Sequence, residues 1–132
     1  MTDKHICFNF SGVIKKAWKD EPVEHVFPML YRQLYKYDNI SIYSFSYDKK
    51  TIKDWIRHHD TEWRECCNRM IRDSKEDLGE QHIAHLTLNK GPLVYLIHYP
   101  TTKPTADVYV TSTEKGRILV TREMSTEVFE TW

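Results

Sequence analysis

The chain has 132 residues, 40% of them hydrophobic and 13% aromatic, enough to bury one core and short enough for a single domain over residues 1–132. Its 19 basic residues are balanced by 19 acidic ones, which argues against a broad electrostatic grip on nucleic acid or on an anionic membrane. No apolar run approaches the length of a membrane span, and no charged n-region precedes an apolar h-region. Three cysteines, two of them adjacent, form no disulfide framework, so reduced thiols and a cytoplasmic location are expected.

Residues 5–10 predict a short apolar strand, with Gly12 in the turn that follows. Asp20-Glu21-Pro22 has the character of a helix start, and Val23, Val26, Phe27, Leu30 and Leu34 follow at helical spacing. Pro28 lies inside that pattern and places the start of the helix near itself. Residues 40–45, "ISIYSF", predict a second strand. Ile52, Trp55, Ile56 and His59 mark a helix. Trp63, Cys66, Met70, Ile71 and Leu78 mark another that Gly79 would cap, with Asp60-Thr61 as a break or bend between them. Residues 82–88 are read as strand or loop, and the continuous apolar run 93–99 as a strand buried on both faces. Strands over 107–111 and 118–121 and a final helical turn or two over 125–132 complete the pattern. Strands alternating with helices predict an α/β fold, a three-layer Rossmann-like sandwich around a mostly parallel sheet. Function in such sheets gathers at the carboxyl ends of the strands, here residues 9–12, 44–48, 101–104 and 111–115.

In that order, these four segments resemble the haloacid-dehalogenase-like (HAD-like) phosphohydrolases in a small single-domain form. The first motif, Asp-x-Asp-Gly-x after a strand, corresponds to Asn9-Phe10-Ser11-Gly12-Val13. The second, a strand ending in Ser or Thr, corresponds to Ser41-Ile42-Tyr43-Ser44, and Trp55 falls where small members often carry a helix tryptophan. The third, a Lys-Pro pair after a Pro-containing loop, corresponds to Pro100-Thr101-Thr102-Lys103-Pro104. The fourth, a strand ending in paired acids, ends here in Thr111-Ser112.

The departures carry the functional expectation. The resemblance assigns the nucleophile, the general acid and the Mg²⁺ ligands to Asn9, Ser11, Thr111 and Ser112. A neutral amide is a poor nucleophile, a serine hydroxyl is a weak acid near neutral pH, and Mg²⁺ prefers anionic oxygens. The catalytic set is therefore read as replaced, with Mg²⁺ binding lost and no other metal or cofactor expected. What the resemblance leaves is an anion-friendly cleft of Phe10, Ser11, Gly12, Ser44 and Lys103 that could take a phosphate-bearing small molecule. Trp18, with Lys15, Lys16 and Lys19, lies where the family carries its cap or substrate-facing insertion, which marks these residues as a partner contact.

The role that follows is an inhibitor or adaptor of a protein partner; an origin in a virus of bacteria fits the habit of the family. Two alternatives stand beside it: a residual phosphatase or nucleotidase with rearranged acids, for which Asp48 is best placed, and a phosphate or nucleotide sensor using Ser44 and Lys103. Other constellations read as ordinary structure. His58-His59-Asp60 with Cys66-Cys67 matches no closed zinc spacing, so His59 is expected to pack and His58 to be solvated. His82 and His85 would converge only on a helix. Cys66 and Cys67 bridge badly as helical neighbours, and Cys7 is expected buried and inert. A Ser-His-Asp set lacks the nucleophile elbow.

Overall fold

The computed structural model describes residues 4–44, 46–73, 78–99, 108–112 and 116–120. The chain runs β1 (Lys4–Asn9), α1 (Val26–Lys36), β2 (Asn39–Tyr43), α2 (Lys49–Asp73), α3 (Leu78–Lys90), a 3₁₀ turn (Leu93–Tyr95), β3 (Ile97–His98), β4 (Val108–Ser112) and β5 (Gly116–Val120). One five-stranded sheet has the order β3-β2-β1-β4-β5. Strand β1 holds the centre, and its Ile6, Cys7 and Phe8 are buried in succession, so both faces of the sheet are covered there.

The α/β class stands, and three strands, β1, β2 and β3, are mutually parallel; β4 and β5 are not. Strand β4 runs antiparallel to β1 and β5 antiparallel to β4. Connection length supplies the reason. Only nine residues, 99–107, separate β3 from β4, fewer than the dozen or so that a parallel crossover needs. Residues of α1, α2 and the 3₁₀ turn join one core cluster with Ile6, Phe8, Ile40, Ile42 and Ile97, which alternate along their strands onto one face. The described elements thus give a mixed α/β fold of three helices and a sheet whose parallel part has three strands.

Helix α1 buries Val26, Phe27, Met29, Leu30 and Tyr31. Pro28 is its third residue, one of the first four whose N–H has no intrahelical acceptor, so proline costs little there. Helix α2 is continuous through Asp60-Thr61, 25 residues or about 37 Å of rod. Asp60 points inward instead of breaking it, and Thr61 Oγ1 donates back to the Arg57 carbonyl at 2.7 Å.

Two segments correct the sequence reading. Residues 78–90 form helix α3, with Gly79 inside its first turn. Ala84, Leu86 and Leu88 alternate as in a strand, whereas the fully buried positions are the small Ala84 and Thr87, three apart on one helical face. The run 93–99 is not one buried strand. Gly91, at a φ of 84°, and Pro92 set up the 3₁₀ turn, and only Ile97–His98 pairs, at the edge of the sheet beside Ile40 and Ser41. The expected turn over 125–132 lies outside the described residues.

Asp48 begins α2 as its cap: its Oδ1 accepts the Thr51 N–H at 2.8 Å, and its carbonyl accepts the Ile52 N–H at 3.1 Å. Hydrogen bonds from the Thr51 side chain and then from its backbone N–H hold the carboxyl below the usual carboxylate range. Replacing Asp48 with alanine should lower stability by about 1 kcal/mol in urea unfolding, without altering the far-ultraviolet spectrum of the native state.

Candidate functional site

At the carboxyl end of β1 the backbone closes on itself. Phe10 extends the pairing by donating its N–H to the Tyr43 carbonyl at 2.7 Å. The Phe10 carbonyl then accepts the N–H groups of Ile14 at 3.1 Å and Lys15 at 2.8 Å, and Gly12 donates to the Lys15 carbonyl at 2.7 Å. Gly12 takes a φ of 88°, which side chains disfavour, so this tight turn requires glycine. A hairpin follows over residues 15–22, closed by Lys16 N–H to the Glu21 carbonyl at 2.8 Å and Val23 N–H to the Ile14 carbonyl at 2.9 Å.

Side chains brace the hairpin. Lys15 is 6% exposed, and its ammonium donates to the carbonyls of Lys16 at 2.8 Å and Lys19 at 3.1 Å, with the Tyr47 ring 5.7 Å away. Lys16 and Glu21 pair at 3.1 Å. Trp55 Nε1 donates to Asp20 Oδ1 at 2.7 Å, tying the hairpin to α2. The Trp55 ring stands edge-on to Phe10 with centroids 5.0 Å apart, and Phe10 meets Tyr47 edge-on at 5.4 Å. Trp18, near the tip, is 94% exposed.

The structure places the sequence-predicted residues unevenly. Asn9, Ser11 and Ser44 do gather at the adjacent ends of β1 and β2, where Asn9 pairs in register with Tyr43 and is buried. Ser44 Oγ accepts the N–H groups of Ser46 at 3.2 Å and Tyr47 at 3.1 Å, which shapes its turn and leaves the hydroxyl hydrogen for donation. Thr111 and Ser112 do not join them. Because β4 is antiparallel, they pair with His5 and Lys4, about 16 Å along the strand from Asn9. The expected anion cradle loses two donors, since Phe10 and Gly12 spend their N–H groups on protein carbonyls. Lys15 belongs to the brace and not to an open contact patch. Lys103 lies outside the described residues, as do Asp107 and Glu114.

Among the described residues at this edge, the side chains offer no set of anionic oxygens for Mg²⁺. The motif positions offer an amide and a hydroxyl, Asp48 caps α2, and Asp20 accepts from Trp55. An aspartyl-phosphate route is likewise closed to Asn9, whose amide carries no anionic oxygen.

A second polar centre has no sequence motif. Asp60, 2% exposed in mid-helix, accepts the Tyr31 hydroxyl on Oδ1 and the Leu93 N–H on Oδ2 at 2.9 Å. Arg64, one turn on, donates to the carbonyls of Thr87 and Gly91, both at 2.9 Å, and lies 3.4 Å from the Tyr31 oxygen. Burial pushes the Asp60 carboxyl up, against the hydrogen bonds from Tyr31 and Leu93 and the charge of Arg64. Burial and then Asp60 push the Tyr31 hydroxyl far above its ordinary value. The one signal in the sequence is an acid at a helical position that should face inward, with an arginine four residues later. Nearby, an open groove of about 940 Å³ runs between α1, α2 and α3 over Val23, Phe27, Pro28, Trp63, Met70 and Ile83.

The remaining candidates settle simply. Cys7 and Cys67 are buried and Cys66 is half-buried, none of them bridged. His82 and His85 do share a helix, both exposed, but no third metal-ligating side chain joins them among the described residues. No helix among the described residues is long and apolar enough to cross a membrane. No model of a known family, no curated protein and no solved structure matches the chain.

Asp60→Ala should cost about 3 kcal/mol of unfolding free energy, because it strands the Tyr31 hydroxyl and the Leu93 N–H and leaves Arg64 without its counter-charge. Asp60→Asn, which keeps one acceptor, should cost less; equal losses in the two variants would refute this account. Burial raises the Cys67 thiol to about 11, so in the native protein at pH 8 a maleimide should modify Cys66 first. Cys67 and Cys7 should react only on unfolding, as peptide mapping would show.

Proposed function

We propose that this chain is a non-catalytic HAD-like binding protein that seats a protein partner on the hairpin of residues 15–22, with Trp18 as the anchor. The observation that carries the reading is an indole 94% exposed on a hairpin braced from within and from α2. A tryptophan offers the largest apolar area of any side chain, and single exposed apolar residues are common. Here it stands on a turn whose backbone is fixed by the Lys15 ammonium, the Lys16–Glu21 pair and the Trp55–Asp20 bond, so little entropy remains to be lost on binding. Lys16 and Lys19 flank it and suit a partner whose apolar socket has an acidic rim. In the HAD-like reading the hairpin occupies the place of the family's substrate-facing insertion. An inhibitor or adaptor acting in the cytoplasm is the role that follows, with no part for nucleic acid, membrane or Mg²⁺.

Two observations weigh against the alternatives. Of the acids that a residual phosphatase could use, Asp48 and Asp20 are both engaged elsewhere. A phosphate sensor built on Ser44 and Lys103 would have fewer backbone donors at that edge than the motif suggests, because Phe10 and Gly12 are bonded internally.

The purified protein should release no phosphate from an aryl phosphate or a nucleoside monophosphate with Mg²⁺ present, and inorganic phosphate should not raise its melting temperature. Affinity capture from the native lysate should recover a stoichiometric protein. Trp18→Ala should weaken that complex by about 30-fold or more, as hot-spot tryptophans do, while leaving the melting temperature unchanged. Mg²⁺-dependent turnover abolished by Asp48→Asn would replace this reading with the phosphatase, and a partner indifferent to Trp18→Ala would move the contact elsewhere.

A further inference from the structure

On the outer side of α2, three metal-ligand side chains converge. His58 Nε2 lies 3.3 Å from Glu62 Oε1, and His59 Nδ1 lies 3.8 Å from Glu62 Oε2. One ligand atom from each residue falls within 4.8 Å of both others. We propose that His58, His59 and Glu62 form a binding site for one divalent late first-row metal ion, of the zinc and nickel class.

The helix makes the convergence possible. Adjacent histidines diverge by about 100° around the axis, which alone would prevent a shared ion. Glu62 stands four residues after His58 and three after His59, so it lies between the two on the next turn, within reach of both rings. Each carboxylate oxygen already faces one imidazole nitrogen. Bonds of about 2.0–2.2 Å in tetrahedral array set donors about 3.3 Å apart. The His58–Glu62 Oε1 separation meets that spacing, the His59–Glu62 Oε2 separation of 3.8 Å is about half an ångström wider, and the two imidazole nitrogens, within 4.8 Å of each other, close on the ion by rotation of the exposed His58 ring.

The ligands also differ usefully in freedom. His59 is held: its ring packs 4.3 Å from the Trp55 ring, its side chain is only 16% exposed, and Trp55 is itself fixed to Asp20. His58 and Glu62 are well exposed and can adjust to the ion, leaving its remaining positions open to water or to a ligand atom from outside. Two imidazoles and one carboxylate favour zinc, nickel or copper over Mg²⁺ or Ca²⁺, whose preferred shells are all oxygen. With Glu62 the protein supplies one negative charge, so the loaded site retains a net positive charge able to attract an anionic group. The site is separate from the Trp18 hairpin tip and stands whether or not that tip binds a partner.

Calorimetric titration of the full chain with Zn²⁺ alone, in the presence of excess Mg²⁺, tests the site. One equivalent should bind. His58→Gln and Glu62→Gln, at exposed positions that leave the fold intact, should each weaken binding at least as much as the about 10–100-fold that loss of an outer-shell partner costs elsewhere. Co²⁺ in place of Zn²⁺ should give visible d–d bands without the near-ultraviolet thiolate band that Cys66 ligation would produce. No binding, binding unchanged in both variants, or a thiolate band abolished by Cys66→Ser would each overturn the assignment.

Discussion

The carboxylate of Asp60 sits where a charged group is costly, inside the contact between α2, α1 and the 3₁₀ turn. Its two oxygens are satisfied by one donor from each neighbour, the Tyr31 hydroxyl and the Leu93 N–H. Arg64 extends the same network to the end of α3 through the Thr87 and Gly91 carbonyls. A half-satisfied network of this kind costs more than an apolar core, so arrangements of the helices that break it are disfavoured. Apolar burial supplies most of the driving force for folding, and the network penalises misaligned packing.

That arrangement fixes the functional edge. With α2 docked through Asp60 and Ile56, its preceding turn brings Trp55 against Phe10, immediately after β1, and against Asp20 in the hairpin. The edge thus becomes an aromatic and hydrogen-bonded platform. Its acids serve the scaffold: one caps a helix and one accepts from an indole. Lys15 turns its ammonium inward onto backbone carbonyls. What remains outward is a tryptophan on a stiff support, the feature on which the proposed recognition role rests.

The direction of β4 matters as much. Four short motifs can stand in the right order along a chain and still not meet, because a motif at a strand's end is useful only if the strand points the right way. Thr111-Ser112 pairs with the start of β1, so the first and fourth segments lie at opposite ends of the sheet. The information was partly present in the nine-residue spacing before Val108, too short for a parallel crossover.

Periodicity in the sequence was sufficient for β1, β2, α1 and the two halves of α2, because long side chains at regular intervals report which face is buried. A glycine just after the first strand marked the turn at Gly12. Periodicity misread α3, since the inward positions there are Ala84 and Thr87, too small to register as a hydrophobic stripe, and it misread 93–99, where Gly91 and Pro92 redirect an apolar run into a 3₁₀ turn. Tertiary structure alone decided the inward turn of Lys15, the Asp60–Tyr31–Arg64 network and the convergence of His58, His59 and Glu62. Each of these depends on groups brought together by packing or by the choice of rotamer, and local sequence specifies residue types and spacings without specifying which polar atoms will find one another once water is excluded.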